Sequence, residues 1–386
     1  MPFKNQLSNL KKEIDRELKE FFDFKIREIK KRRKPSLSIE MAENIRDFTL
    51  SSGKRIRPIL FYYGYLLAGG NNKKRILRAA ISIELIHAYT LIHDDIIDRD
   101  NLRRHRPSMH CYYKKYSESA DHSFLAVPRP VGESGKPTPN PSQEGNNFKE
   151  GNNAKHFGIS MAIIVGDLAS VFGYEILNRA DLPENLKVKA INKLNQILVN
   201  TVTGEAKDVF LGTFGDFNSA KILRMQGYKT AKYTVEGPLH LGAVLAGADD
   251  NFLKSLTDFA IPLGIAYQIK DDIIGVFGDE EKIGKPVGAD IKEGKATLLI
   301  AKALESANGN QRKIINFALG NKKLKLEKLK EVRKIISETG SLEYSQNQAS
   351  KFTELARVNL EKIKTPDEKS KRFLRELTDF MAGREF

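Results

Sequence analysis

Residues 79–98 read AAISIELIHAYTLIHDDIID. Apolar residues run through this stretch up to Ile97, and it closes on three aspartates, Asp94, Asp95 and Asp98. The apolar spacing over Ile76–Ile97 predicts one largely buried helix. Asp94 and Asp98 are four apart, so on that helix they share a face. Two like charges at this spacing repel, and burial makes each carboxylate costly. Local stability therefore does not account for them, whereas a divalent cation does. Hard oxygen ligands favour Mg²⁺, which takes one or two carboxylates together with substrate phosphates.

A second cluster ends another apolar helix, Phe259–Ile274. There Gln268-Ile269-Lys270-Asp271-Asp272-Ile273-Ile274-Gly275 repeats the pairing. One Asp-Asp pair alone reads as a helix cap or a solvated corner. Two pairs in apolar helices argue against that, and clusters facing each other across a bundle would form a polymetal, diphosphate-binding cavity.

The rest of the chain is also helical in pattern. Leu7, Leu10, Ile14, Leu18 and Phe21 recur at steps of three and four, and Asn185–Phe210, Ser219–Val235 and Asp250–Ile274 look alike. No run of alternating residues predicts a strand. The expected fold is all-α, a single large helical bundle over residues 1–386. Residues 117–155 break the pattern: five of the 14 prolines lie there, and Glu-Gly-Asn-Asn occurs twice. This stretch is expected to be a disordered surface insertion within the domain.

The length of 386 residues would by itself suggest two or three domains, and the 40% hydrophobic and 29% charged composition is globular. The single cysteine, Cys111, excludes an intrachain disulfide and suggests a reducing, cytoplasmic setting. No segment reaches about 18 uninterrupted apolar residues, so no integral membrane segment is expected. The N-terminus has neither the apolar core of a signal peptide nor the acid-poor pattern of a transit peptide. Lys and Arg outnumber Asp and Glu by 64 to 49, a net charge of +15. The excess sits in residues 1–34, twelve bases to six acids, and 312–334, nine to two. Neither stretch interleaves aromatics with its bases as a nucleic-acid platform would, so no nucleic acid is expected. Both read as solvated helix faces, with Leu326, Leu329, Val332 and Ile335 at core spacing; weak attraction to anionic membranes or polyanionic substrates is the alternative.

Bases suited to phosphate oxygens surround the acidic motifs. Lys54 and Arg57 stand three apart just before a helix expected near Pro58. Arg103-Arg104 follows the first cluster, Lys229-Thr230 sits in a helix, and Gly284-Lys285-Pro286 and Gly294-Lys295 fall in expected loops. Walker spacing is absent, which excludes a P-loop.

This ordered set of motifs, at 53–58, 84–87, 94–98, 103–104, 166–167, 229–230, 268–272 and 284–286, resembles the trans-polyprenyl diphosphate synthases over about residues 5–380, the insertion excepted. The resemblance implies an isoprenoid synthase-like helical bundle around a central cavity, usually a homodimer. It implies a prenyltransferase of isoprenoid biosynthesis that condenses isopentenyl diphosphate with allylic diphosphates. It further implies Asp94, Asp98 and Asp271 as Mg²⁺ ligands, with Asp95 and Asp272 in support. Arg103, Lys229 and Lys285 would contact the allylic diphosphate. Thr230 and Gln268 would neighbour the reacting end, and Lys54, Arg57, His87 and Arg104 would form the isopentenyl diphosphate pocket. His93 and His240 are expected to be structural.

Gly275 stands where many members of that family carry a third aspartate, a variant similar to archaeal-type short-chain members. Bulk just before the first cluster limits chain growth in the family. Tyr89, five residues before Asp94, would form a floor, with the smaller Thr90 beside it. A short product is expected, twenty carbons ahead of fifteen. The alternatives are a farnesyl diphosphate synthase, a terpene synthase and a non-catalytic partner subunit. The isopentenyl pocket residues argue against the terpene synthase, and the intact ligand set argues against the non-catalytic subunit.

Overall fold

The structure, a computed structural model, describes residues 3–32, 36–51, 53–118, 150–278 and 288–383. In chain order the helices are α1 (Phe3–Lys31), α2 (Ser36–Leu50), α3 (Ile56–Leu67), α4 (Lys73–Ala80) and α5 (Ser82–Ile97). Two short strands follow, β1 (Leu102–Arg103) and β2 (Arg106–Pro107), then α6 (Met109–Glu118), α7 (Glu150–Asn178), α8 (Glu184–Phe214) and α9 (Ser219–Gln226). A π-helix, Gly227–Glu236, leads into α10 (Gly237–Leu245) and α11 (Asp250–Phe277). The chain ends with α12 (Ala289–Glu293), α13 (Leu298–Ser306), α14 (Gly309–Ala318), α15 (Leu326–Glu338), α16 (Ser341–Lys362) and α17 (Glu368–Ala382). The fold is all-α.

Three expectations change in detail. The helix predicted over Ile76–Ile97 breaks at Ile81, whose carbonyl accepts from the amides of Glu84 and Leu85 as α5 restarts. The hairpin β1–β2 is a local strand pair that no alternation announced, with register Leu102↔Pro107 and Arg103↔Arg106. The expected insertion contracts at both ends, because Ser117 and Glu118 close α6 and residues 150–155 begin α7. Residues 119–149 lie outside the described residues.

The described residues fall into two compact units. One comprises Glu13–Lys54 and Ile81–Glu175. Its core gathers Ile14, Leu18 and Phe22 of α1, Ile45 of α2, Ile83, Leu85, Ile86 and Ile92 of α5, and Ala162, Val165 and Ala169 of α7. The inward edge of α1 thus runs to Phe22 rather than Phe21. Helix α7 lies close against α5. A Cβ on Gly166 would come within 2.5 Å of the His93 ring, and one on Gly173 within 3.0 Å of the Ser82 carbonyl oxygen. That packing turns the Ser82–Ile86–Tyr89–His93 side of α5 toward α7.

The other unit comprises Met1–Lys12, Arg55–Ala80 and Ile176–Phe386. Helix α11 runs through its core, burying Ile265, Ile269, Ile273 and Val276 with Leu298, Leu299 and Ile300 of α13 and Val332, Ile335 and Ile336 of α15. Leu329 is buried as its spacing predicts, but Leu326 is 55% exposed. Leu324, in the preceding turn, takes the inward position instead.

By length and mean hydropathy, two helical stretches qualify as membrane spans, Lys73–Ile97 and Asn153–Asn178. The expectation from uninterrupted apolar runs overlooked them because isolated polar residues divide them. The first is 67% buried, as a core helix is, and the second 44%.

Candidate active site

The first aspartate cluster sits where α5 stops. Asp98 is the C-terminal cap, and its amide donates to the Asp94 carbonyl at 2.8 Å. The Arg99 amide donates to the Ile96 carbonyl and the Asp100 amide to the Asp95 carbonyl, a five-to-two and a six-to-one closure. The αL residue this closure requires is normally glycine, and here it is Arg99, at φ 58°. The helix end carries partial negative charge, so Asp94, Asp95 and Asp98 add charge where it is least welcome. Cations relieve it.

One such cation belongs to the chain. Arg103, on β1, donates from Nε to Asp95 Oδ1, and its Nη2 lies 3.5 Å from Asp94 and 3.8 Å from Asp100. Asp95 is fully buried, and burial raises its carboxyl to about 7 despite Arg103. Its Oδ2 and the Arg103 Nη2 are buried without a hydrogen-bond partner among the described residues. The hairpin that delivers Arg103 turns through Arg104 and His105, at φ 52° and 62°. Non-glycine residues at positive φ on both central positions are strained.

Tyr89 is half-buried on the side of α5 that faces α7, with its ring edge-on to His93 at 4.7 Å. It is not the fully buried aromatic that a floor argument pictures. Burial, with Asp167 adding, raises its hydroxyl pKa. Thr90, four residues before Asp94, shares the Asp94 face, and its hydroxyl donates to the His87 carbonyl. His93 Nε2 lies 3.2 Å from the Ile163 carbonyl and 3.6 Å from Asp167, in keeping with a structural role. Lys54 is exposed at the end of this unit, and His87 and Arg104 are half-buried within it.

In the other unit the second cluster is wired to the π-helix. The Thr230 hydroxyl donates to Gln268 Oε1 at 2.7 Å, and Gln268 Nε2 donates to Asp272 Oδ1 at 2.7 Å. Gln226 Nε2 donates to Asp272 Oδ2 at 2.8 Å. Both oxygens of a 6%-exposed carboxylate are thereby held by amides. Burial raises the Asp272 carboxyl well above the usual range, and Asp290 adds to the effect. Asp271 beside it is half-buried.

Lys229 is gripped by two carboxylates of α8, Asp208 at 2.6 Å and Glu205 at 2.9 Å. Arg57 donates to the Thr234 hydroxyl at 2.9 Å and lies over the Tyr233 ring at 4.7 Å. The π-helix therefore organises Lys229, Thr230 and Arg57 together. Such turns recur at functional sites because the extra residue re-aims side chains. At Gly275 a Cβ would sit 2.8 Å from Asp290 Oδ2, so an acid from α12 occupies the space beside the absent third aspartate. Lys285 lies outside the described residues.

Sequence reasoning missed Gln226, Glu205, Asp208 and Asp290. Glu205 and Asp208, one helical turn apart ahead of Lys229-Thr230, carried a readable signal. Gln226 carried none, since its partner is 46 residues away.

Among the described residues, no three His, Cys, Asp or Glu side chains gather into a ready-made ion cage. The donors present are hard carboxylate oxygens at and near helix ends, one of them buried and unbonded. That set fits Mg²⁺, which completes its shell with water and phosphate oxygens.

Residues 39–124 and 149–336 match the Polyprenyl synthetase family. The chain belongs to that family. The match leaves out residues 125–148, inside the stretch expected to be an insertion. This polyprenyl synthetase is similar to the geranylgeranyl diphosphate synthase of Sulfolobus acidocaldarius, at 32% identity over 86% of this chain and 88% of that one. The geranylgeranyl diphosphate synthase of Saccharolobus solfataricus is also 32% identical, over 86% and 87%. Among solved structures, a geranylgeranyl pyrophosphate synthase from Corynebacterium glutamicum, complexed with isoprenyl diphosphate and magnesium, superposes with a TM-score of 0.84. It is 28% identical, covering 98% of this chain and 99% of that one. The chain is thus a prenyltransferase of isoprenoid biosynthesis, as the resemblance implied.

Proposed function

We propose that this prenyltransferase adds isopentenyl diphosphate to allylic diphosphates and stops at the twenty-carbon geranylgeranyl diphosphate. The observation that carries the chemistry is the end of α5, where Asp94 and Asp98 flank the buried Asp95–Arg103 pair, and Arg103 Nη2 has no hydrogen-bond acceptor among the described residues. Asp94, Asp98 and Asp271 would hold Mg²⁺. When bound, the metal supplies charge stabilisation to the departing diphosphate.

The chain's own residues do the rest. Arg103 Nη2 donates to a diphosphate oxygen while its Nε keeps Asp95 in place. Lys229, steadied by Asp208 and Glu205, offers a fixed point charge to the allylic diphosphate. The family resemblance assigns Lys285 to the same diphosphate. Thr230 and Gln268 neighbour the reacting end, where the Gln268 amide links Thr230 to Asp272. Lys54, Arg57, His87 and Arg104 bind isopentenyl diphosphate. The apolar cavity that the family resemblance implies would exclude the water that traps an allylic cation. As the allylic carbon–oxygen bond breaks, the isopentenyl double bond supplies the electron pair for the new carbon–carbon bond, so no side-chain nucleophile is needed. The released proton passes to the departed diphosphate, so no side-chain base is needed either. The two similar geranylgeranyl diphosphate synthases support the product length.

A cytoplasmic homodimer completes the reading. The lone cysteine supports the compartment. The dimer is supported by the apolar stripe Val188, Val199, Val202, Val209 and Phe210, which α8 leaves exposed.

The test incubates the purified protein with isopentenyl diphosphate and, separately, primers of five, ten and fifteen carbons, with Mg²⁺ or with EDTA. Products are sized by mass spectrometry after dephosphorylation. A ladder ending at twenty carbons, abolished by EDTA, is expected. Cyclic hydrocarbons formed without isopentenyl diphosphate would overturn the assignment, and a fifteen-carbon stop would overturn the product length.

A further inference from the structure

The basic excess near the C-terminus concentrates at one turn. Between Gly309 and Lys330 the chain carries Arg312, Lys313, Lys322, Lys323, Lys325, Lys328 and Lys330 against one acid, Glu327. All seven bases are exposed. Lys328 pairs with Glu331 at 2.7 Å, whereas Lys313, Lys323, Lys325 and Lys330 form no ion pair with a described carboxylate.

Two large apolar side chains stand among them. Phe317, in the last turn of α14, is 61% exposed, and Leu326, the first residue of α15, is 55% exposed. Helices α14 and α15 pack on each other and are joined by residues 319–325, so both side chains lie at the same end of the pair. The turn between them is held by its own hydrogen bonds, Asn321 to Ala318 and Leu324 to Asn321. The Gly320 amide donates to the Ile291 carbonyl at 2.9 Å, which ties the turn to α12, next to Asp290.

A solvated helix face has no use for an exposed phenylalanine and would intersperse acids among its bases. Exposed apolar side chains ringed by lysines are instead the complement of an anionic lipid bilayer. The charges meet the headgroups, the apolar side chains enter the acyl boundary, and lysine stems reach back to the phosphates. We propose that the α14–α15 turn docks this enzyme on anionic membrane surfaces, with Phe317 and Leu326 inserted and Lys322, Lys323 and Lys325 on the headgroups. The charge pattern alone would also suit a nucleic acid. The unpaired Phe317 and Leu326 favour the bilayer, since phosphate backbones offer them nothing to bury.

Docking is read by co-sedimentation of the full chain with vesicles of phosphatidylcholine, and of phosphatidylcholine mixed with phosphatidylglycerol in equal parts. Binding to the mixed vesicles alone, falling as salt rises, is expected. Each basic residue near such a surface contributes about 1 kcal/mol, so Lys322→Glu/Lys323→Glu/Lys325→Glu should weaken partitioning on the order of a hundredfold or more. Phe317→Ser/Leu326→Ser should weaken it about tenfold or more. Lys351→Glu/Lys364→Glu/Lys369→Glu makes the same charge change at other exposed sites and should lose far less. All three variants should elongate a soluble primer at the parent rate, which shows that they fold. Failure to sediment with mixed vesicles overturns the proposal. So does an equal loss in the control triple, which would reduce the effect to net charge. Tight duplex DNA binding through the same lysines without vesicle binding would overturn it in favour of a nucleic acid.

Discussion

At the residue scale, the chain accepts backbone strain beside the candidate site. Arg55, Arg99, Arg104 and His105 are the non-glycine residues at positive φ among those described, and all four are basic in type. An L-residue in the left-handed region costs roughly 1–2 kcal/mol. His105 is exposed, so His105→Gly removes strain without removing a buried contact. Part of the gain is lost to the freer unfolded chain. A net stabilisation of about 0.5–1 kcal/mol is expected, read as a higher Tm in thermal denaturation, with activity retained. A lower Tm would show that the imidazole contributes more than its backbone costs. Tyr89 is the residue proposed to limit product length. In Tyr89→Ala, the half-buried ring that meets His93 is gone, and α7 presents Gly166 and Gly173 nearby, with little bulk to replace it. Products longer than the parent's are expected by mass spectrometry, and an unchanged distribution would remove Tyr89 from chain-length control.

At the element scale, the π-helix is, with the β1–β2 hairpin, a feature that composition and periodicity did not announce. Ser219–Val235 reads as an ordinary amphipathic helix, and the structure makes its second half wider. The reason is tertiary: α11 comes so close that only glycine fits opposite Ala231. A Cβ on Gly264 would lie 2.4 Å from the Ala231 Cα. Gly264→Ala therefore forces two backbones apart, at a cost of about 1–3 kcal/mol. It should also pull Thr230 from Gln268 and leave Asp272 less firmly held. The expected result is a kcat reduced about tenfold, with a smaller change in KM for isopentenyl diphosphate. A variant that loses stability but keeps its kcat would show that the π-helix does not set the position of Thr230. The ends of α5 and α11 were legible from sequence, because carboxylates closing apolar runs are anomalous wherever they occur. Of the groups around those carboxylates, Arg103 and Gln268 stood in the same set of motifs, but Gln226 and Asp290 did not, because they approach through folding, not through spacing.

At the scale of the whole molecule, a stripe of exposed valine and phenylalanine on α8 is out of keeping with a helix finished by its own chain. Val199, Val202 and Phe210 are 66%, 55% and 56% exposed. Their spacing puts them on one face, opposite the buried Thr201, Gly204, Asp208 and Leu211. Contiguous exposed apolar side chains of this kind mark an interaction surface. Val202→Glu/Phe210→Glu should convert a dimer to a monomer in light scattering coupled to gel filtration. A parent chain that elutes as a monomer would end the homodimer reading.

The sequence by itself determined the all-helical fold and the two acidic clusters. It also determined the family, since each of these rests on spacing within a few turns of one helix or on an ordered set of short motifs. The tertiary structure decided what those residues hold. It bonded Arg103 to Asp95, clamped Lys229 between Glu205 and Asp208, set Gln226 against Asp272 and left Leu326 in water. Each of these outcomes depends on which backbone arrives beside which. That is fixed by the turn that brings Arg103 back onto α5 and, for the others, by packing between elements more distant in sequence, which spacing along one helix does not encode.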